Sequence, residues 1–155
     1  MFKRILVLAP HTDDGELGCG GAVARFLDEG REVYQAVFSS AARSLPAGLP
    51  PDTLVREWKA ATSTLGIPAG SLIRYEFPVR EFPAWRQEIL EKLIILRREL
   101  EPDLVLLPAL EDLHQDHRTI AREGIRAFKQ VSVLGYELPW NNLEFKNNCF
   151  IVLQE

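Results

Sequence analysis

A chain of 155 residues, 46% hydrophobic and 26% charged, has the length of one ordinary globular domain and enough apolar side chains to bury its own core, which excludes a disordered or fibrous chain. Eighteen Lys and Arg against 22 Asp and Glu give a formal net charge of −4, so no cationic excess is available to neutralise nucleic-acid phosphates. No stretch nears the roughly 20 apolar residues that span a bilayer, and a small molecule is the expected partner.

The N-terminal MFKRILVLAP has basic residues before an apolar run, but the run is too short for a secretory signal and reaches Asp13 without a small-residue cleavage site. Lys3 to Ala9, ending at Pro10, reads instead as a strand buried on both faces, and the stretch from Leu17 to Glu29 as a helix stopped by Gly30. Val33 to Ser39 is a second strand. A loop rich in Ala, Ser, Pro and Gly follows from Ser40 to Pro51, then a helix from Asp52 to Leu65 closed by Gly66.

Ser71 to Phe77 predicts a third strand, and Pro83 to Leu100 a long amphipathic helix with Ile89, Leu93 and Leu96 on one face. Leu104 to Pro108 is a fourth strand of nearly continuous Leu and Val. After the loop Ala109 to Asp112, a helix runs from His114 to Lys129, and Val131 to Tyr136 and Cys149 to Leu153 supply two further strands. The order βαβαβαβαββ predicts one domain over residues 1–155, a Rossmann-like α/β fold with a mostly parallel sheet and helices on both faces. Phe150 to Glu155 reads as a strand that stops without the terminal helix such a sheet usually receives, the pattern of a C-terminally truncated form. Cys19 and Cys149 are too few for a disulfide framework and read as two buried thiols in a reducing, cytoplasmic setting.

Ligands of such sheets bind outside the carboxyl ends of the strands, and both histidine-bearing stretches fall there. His11-Thr12-Asp13-Asp14 follows the first strand, and His114-Gln115-Asp116-His117 follows the fourth, which accounts for all three histidines. Two imidazoles and a carboxylate suit a zinc ion with a position left open for water. His11 and Asp14 are close enough in a strand-end turn to face one ion, with Asp13 pointing to another side. His114 and His117, at i and i+3, share a helix face. For Asp13 and Asp14 the plainer role is capping of the helix that follows, and for Asp116 it is stabilising a helix terminus, against orienting a histidine through its other ring nitrogen. Gly15, Gly18, Gly20 and Gly21 invite a dinucleotide reading, but Val23 stands where the third glycine of G-x-G-x-x-G belongs, and the nearby Asp13, Asp14 and Glu16 would repel a pyrophosphate. The glycines fit a tight turn that lets the helix approach the sheet.

Ala9-Pro10-His11-Thr12-Asp13-Asp14 with Gly18-Cys19-Gly20-Gly21, together with the distant His114-Gln115-Asp116-His117, resembles the LmbE-like, or PIG-L, de-N-acetylases. The resemblance runs in order through essentially the whole chain. It implies zinc-dependent removal of an N-acetyl group from an N-acetylglucosamine-containing or related acetylated amino-sugar conjugate. By position it also implies that His11, Asp14 and His117 are metal ligands, Asp13 the general base, His114 the group facing the oxyanion and Asp116 the carboxylate orienting a histidine.

Thr12 and Gly15 depart from the family's usual proline and glutamate, which points to a subfamily with its own substrate. Registering Glu57 on the family's R-x-x-E pattern puts Leu54 where the arginine stands, with Arg56 the nearest substitute. Arg80, Trp140 and Asn141, near strand ends, are candidate contacts to a sugar. Hydrolysis of another amide or ester and a non-catalytic metal-binding module remain the alternatives. The residues leave open iron, manganese or cobalt in place of zinc, and a homo-oligomer.

Overall fold

The computed structural model describes residues 2–153. Five parallel strands, β1 (Arg4–Ala9), β2 (Glu32–Val37), β3 (Leu72–Arg74), β4 (Leu104–Pro108) and β5 (Ser132–Tyr136), form one sheet in the order β3-β2-β1-β4-β5. Helices α1 (Asp14–Asp28), α2 (Thr53–Leu65), α3 (Arg86–Leu100) and α4 (Gln115–Ala127) lie between successive strands. This is the Rossmann-like α/β architecture that the alternation predicts.

The strands read as continuous apolar runs because both faces of the sheet are covered. Leu6 and Leu8 of β1 point into a core with Ile89 and Leu93 of α3 and Ile120 of α4. Ile5 and Val7, their alternates, join Cys19 and Val23 of α1 on the other side. Trp58 of α2 packs against Ala9 and Val37. Fully burying each such Leu or Ile contributes roughly 1.5–3 kcal/mol. No helix among the described residues is long and apolar enough to cross a membrane.

From β1 the chain moves outward to β2 and β3, then returns to β1's other side for β4 and β5. The connections therefore diverge between β1 and β4, and a crevice opens at their carboxyl ends.

Several boundaries differ from expectation for local reasons. The third strand ends at Arg74, although Tyr75 and Phe77 still donate to the carbonyls of Val37 and Phe38 where β2 runs out. Phe82–Trp85 forms a 3-10 turn containing Pro83, so α3 starts at Arg86. Helix α1 begins as early as Asp14 and kinks at Cys19, whose thiol donates to the carbonyl of Gly15. The expected strand from Cys149 to Leu153 does not form. That segment lies over α1 instead, the Val152 carbonyl accepting from Arg25 and the Leu153 side chain resting against Gly21. Phe150 and Val152 are exposed, and so is Cys149, which corrects the expectation of two buried thiols; only Cys19 is buried. Residues 154 and 155 of the expected terminal strand lie outside the described residues.

Candidate active site

Each strand-end segment is shaped by its own short hydrogen bonds before the two meet. After β1, the backbone N–H of His11 donates to Asp14 Oδ2 at 2.7 Å, closing a tight turn. Asp13 occupies the N-cap position of α1 without a side-chain capping bond, so it is not spent on the helix end. After β4, Asp112 Oδ1 accepts from the N–H of His114 at 2.8 Å, and His114 Nδ1 accepts from the N–H of Asp116 at 3.1 Å, capping α4. A ring nitrogen that accepts carries no proton, so neutral His114 holds its hydrogen on Nε2 and is a donor there.

The segments converge on three atoms. His11 Nδ1 lies 3.2 Å from Asp14 Oδ2, His117 Nε2 lies 3.3 Å from the same oxygen, and the two ring nitrogens are 3.3 Å apart. All three residues are buried. Donors at about 2.0–2.1 Å from a tetrahedral ion are separated by about 3.3–3.4 Å, so this nearly equilateral triangle has the size of one face of such a coordination shell. His114 is adjacent, its ring centroid 5.0 Å from that of His11 and 4.6 Å from that of His117. One nitrogen from each of the three histidines can be chosen so that all lie within 4.8 Å of one another.

Carboxylates outside the triangle fix both rings. Asp116 Oδ2 is 3.0 Å from His11 Nε2, and Asp112 Oδ2 is 2.8 Å from His117 Nδ1. Each accepts from the outer N–H of its imidazole and so aims the inner nitrogen at the centre, where it offers a lone pair once its own proton is released. Asp116 is completely buried and also accepts the backbone N–H groups of Arg80, at 2.5 Å, and Phe82, at 3.1 Å.

The electrostatics follow from these contacts. Burial by itself would lower the His117 pKa, but hydrogen bonds to Asp112 and Asp14 outweigh it and hold it up at about 9. His11 is raised in the same way by Asp116 and Asp14, against burial. Burial would raise Asp14, yet the two histidines bring it well below the usual carboxylate range. Asp13 shifts upward, through desolvation and then the charge of Asp14. His114 shifts downward, through burial and then repulsion from His117 and His11, which favours the neutral donor form.

The expected glycine function is visible at Gly18, where a Cβ would come within 2.3 Å of the buried Tyr136 ring. Arg80 meets the site through its backbone, with a φ of 70°. The Asn141 amide nitrogen is 3.5 Å from His117 Nδ1, and the Asn141 carbonyl accepts from the N–H of Leu113. Trp140 beside it is 65% exposed. Arg56 sits on α2 and pairs with Asp52 at 3.2 Å, outside the histidine cluster's contacts. Asp112, in the loop before α4, is a functional residue that no side-chain pattern marks; its one signal in the sequence is an acid five residues before His117.

A family model described as GlcNAc-PI de-N-acetylase (PIG-L) matches residues 6–128. Diacetylchitobiose deacetylase of Thermococcus kodakarensis is 26% identical over 133 residues, 81% of this chain and 49% of that protein. Uncharacterized deacetylase YaiS of Escherichia coli is 24% identical over 160 residues, 99% of this chain and 83% of its own length. The solved N,N'-diacetylchitobiose deacetylase of Pyrococcus horikoshii superposes with a TM-score of 0.72 at 24% identity, covering 83% of this chain and 50% of that one. The chain thus spans about half the length of the diacetylchitobiose deacetylases that it matches.

Proposed function

Because the chain belongs to the GlcNAc-PI de-N-acetylase (PIG-L) family, we propose that it hydrolyses the N-acetyl group of an N-acetylglucosamine-containing or related acetylated amino-sugar conjugate, releasing acetate and a free amine. Residues 1–155 act as one deacetylase domain in this reading, and the near absence of cysteine supports a cytoplasmic setting. The observation that carries the proposal is the triangle of His11 Nδ1, Asp14 Oδ2 and His117 Nε2.

These three would hold one divalent ion, zinc before iron, manganese or cobalt, since two imidazoles and one carboxylate form a borderline-soft set. A bound ion there supplies Lewis acidity, polarising the acetyl carbonyl and making a water acidic near neutral pH. Asp13 takes the proton from the attacking water, and its upward-shifted pKa suits a base that must later give the proton back. That water's oxygen bonds to the carbonyl carbon, the C–N bond breaks, and the proton held on Asp13 passes to the leaving nitrogen. His114 donates from Nε2 to the carbonyl oxygen as negative charge collects on it. Asp116 and Asp112 keep the His11 and His117 rings aimed. Trp140, exposed beside Asn141, offers a face for a sugar ring, and Asn141 and Arg80 offer polar groups to its hydroxyls.

The test is release of acetate from N,N'-diacetylchitobiose by zinc-loaded protein. Asp13→Ala should retain about one ion per chain by elemental analysis and lose roughly 10²–10⁴-fold in turnover. A loaded wild type that releases no acetate from any of a panel of N-acetylated sugars would overturn the deacetylase reading, and loss of the ion in Asp13→Ala would make that residue a ligand instead.

A further inference from the structure

On its solvent side α4 carries Arg118, Arg122 and Arg126 at i, i+4 and i+8, so the three stand in one row along the helix. With 1.5 Å of rise per residue the row is about 12 Å long. Arg86, at the start of α3, faces it across a groove of about 640 Å³. Four guanidinium groups round one groove are notable in a chain whose formal net charge is −4.

Two of the four are held in place. Glu123, 2% exposed, accepts from Arg86 Nε at 3.0 Å and Nη2 at 2.8 Å on one oxygen, and from Arg126 on the other. One buried carboxylate thus anchors two arginines and leaves each with further N–H donors directed elsewhere. Arg118 and Arg122 pair with no carboxylate among the described residues. The groove therefore keeps a positive excess that no carboxylate among the described residues pairs with. Leu110 and Ile125, 46% and 38% exposed, form an apolar part of its lining.

We propose that this groove is a binding site for a phosphate ester, separate from the histidine cluster on the buried side of α4. A carboxylate is satisfied by one guanidinium fork, whereas a terminal phosphate presents three oxygens to donors arriving from several directions. Four arginines on facing elements meet the second requirement, and the apolar lining accommodates an organic body attached to the phosphate. Overall negative charge makes non-specific attraction of anions weak, so binding depends on this local cluster.

The site does not depend on acetate release, and its test uses the full chain without substrate. Inorganic pyrophosphate is titrated by calorimetry at low and at raised salt into wild type and into the double variant Arg118→Gln/Arg122→Gln, which leaves the Glu123 anchor intact. A parallel arm measures cosedimentation with phosphatidylcholine vesicles with and without phosphatidate, separating a free phosphate ester from a lipid headgroup. Wild-type binding in either arm that weakens at least tenfold in the double variant, with circular dichroism and thermal midpoint unchanged, supports the proposal. Absence of wild-type binding in both arms, or equal binding by the variant, overturns it.

Discussion

The segments after β1 and after β4 each deliver a histidine to the same three-atom triangle, but they hold it by different means. His117 is fastened from within its own segment, because Asp112, five residues earlier, sits 2.8 Å from its Nδ1. His11 is fastened from outside: Asp116, 105 residues later, sits 3.0 Å from its Nε2 and is itself fixed by the N–H groups of Arg80 and Phe82. The second segment is therefore nearly self-sufficient, whereas the first acquires its geometry only when three parts of the chain have packed together. Orientation of His11 is a property of the assembled fold, and orientation of His117 is a property of one continuous segment, the loop after β4 and the first turn of α4.

The largest effect belongs to the atom that both histidines share. Asp14→Ala removes a corner of the triangle and should abolish stoichiometric zinc binding, read by elemental analysis. His114→Ala should keep the ion and lower kcat by roughly 10²–10³, the usual cost of one oxyanion donor. The reverse pattern would make the three histidines the ligand set and leave Asp14 as a turn residue. As a zinc ligand His117 would have to release the proton that Asp112 and Asp14 hold on it to about pH 9, so zinc affinity should rise as pH approaches 9, with proton release visible in calorimetry across buffers. For the metal-free protein the sign is opposite. A folded pKa raised above the ordinary histidine value contributes stability that is complete below about pH 6.5 and lost as pH climbs through about 9.

The next effect separates the two means of fastening. Asp112→Asn and Asp116→Asn should each weaken zinc about 10–100-fold in chelator competition, as loss of an orienting carboxylate does. Their effects on folding should differ. Asp116→Asn turns an amide N–H toward one of three donors in a fully buried position and should cost about 1–3 kcal/mol in denaturant unfolding. Asp112→Asn disturbs a shorter local network and should cost less. Equal losses would mean that the β4 segment is no more self-contained than the other.

The same distinction explains what could be read from the sequence. Apolar runs at Leu104 to Pro108 and around Ile5 to Leu8 are local signals of strands covered on both faces, and the strand-end rule then brings His11 and the His114 to His117 stretch together. Asp112 is not legible in the sequence because its role depends on how the β4 to α4 loop folds back on itself, and loop residues carry no periodicity. The contributions of Arg80 and Phe82 are backbone N–H groups, which every residue but proline has and no side-chain pattern reveals. Cys149 to Leu153 shows the limit from the other side. Its composition suits a strand, but a strand needs an edge to pair with, and the segment instead crosses α1 against Gly21 and Arg25.

The smallest expected effect tests whether Arg80 belongs to the fastening of His11 or to the substrate. Its φ of 70° is a left-handed conformation that costs an L-residue roughly 1–2 kcal/mol, and glycine adopts it freely. Arg80→Gly keeps the N–H that reaches Asp116, relieves that strain, and gives back part of the gain through a more flexible unfolded chain, roughly 0.4–1 kcal/mol. Stability and zinc affinity should therefore stay close to wild type. Arg80→Pro, which has no N–H and fixes φ near −65°, should lose zinc affinity in the manner of Asp116→Asn. If Arg80→Gly leaves the ion in place but raises KM, the side chain also touches the sugar, and the third segment serves His11 and the substrate at once. If it weakens zinc as much as Arg80→Pro does, the side chain itself is part of what holds Asp116, and the dependence of His11 on distant packing extends beyond the backbone.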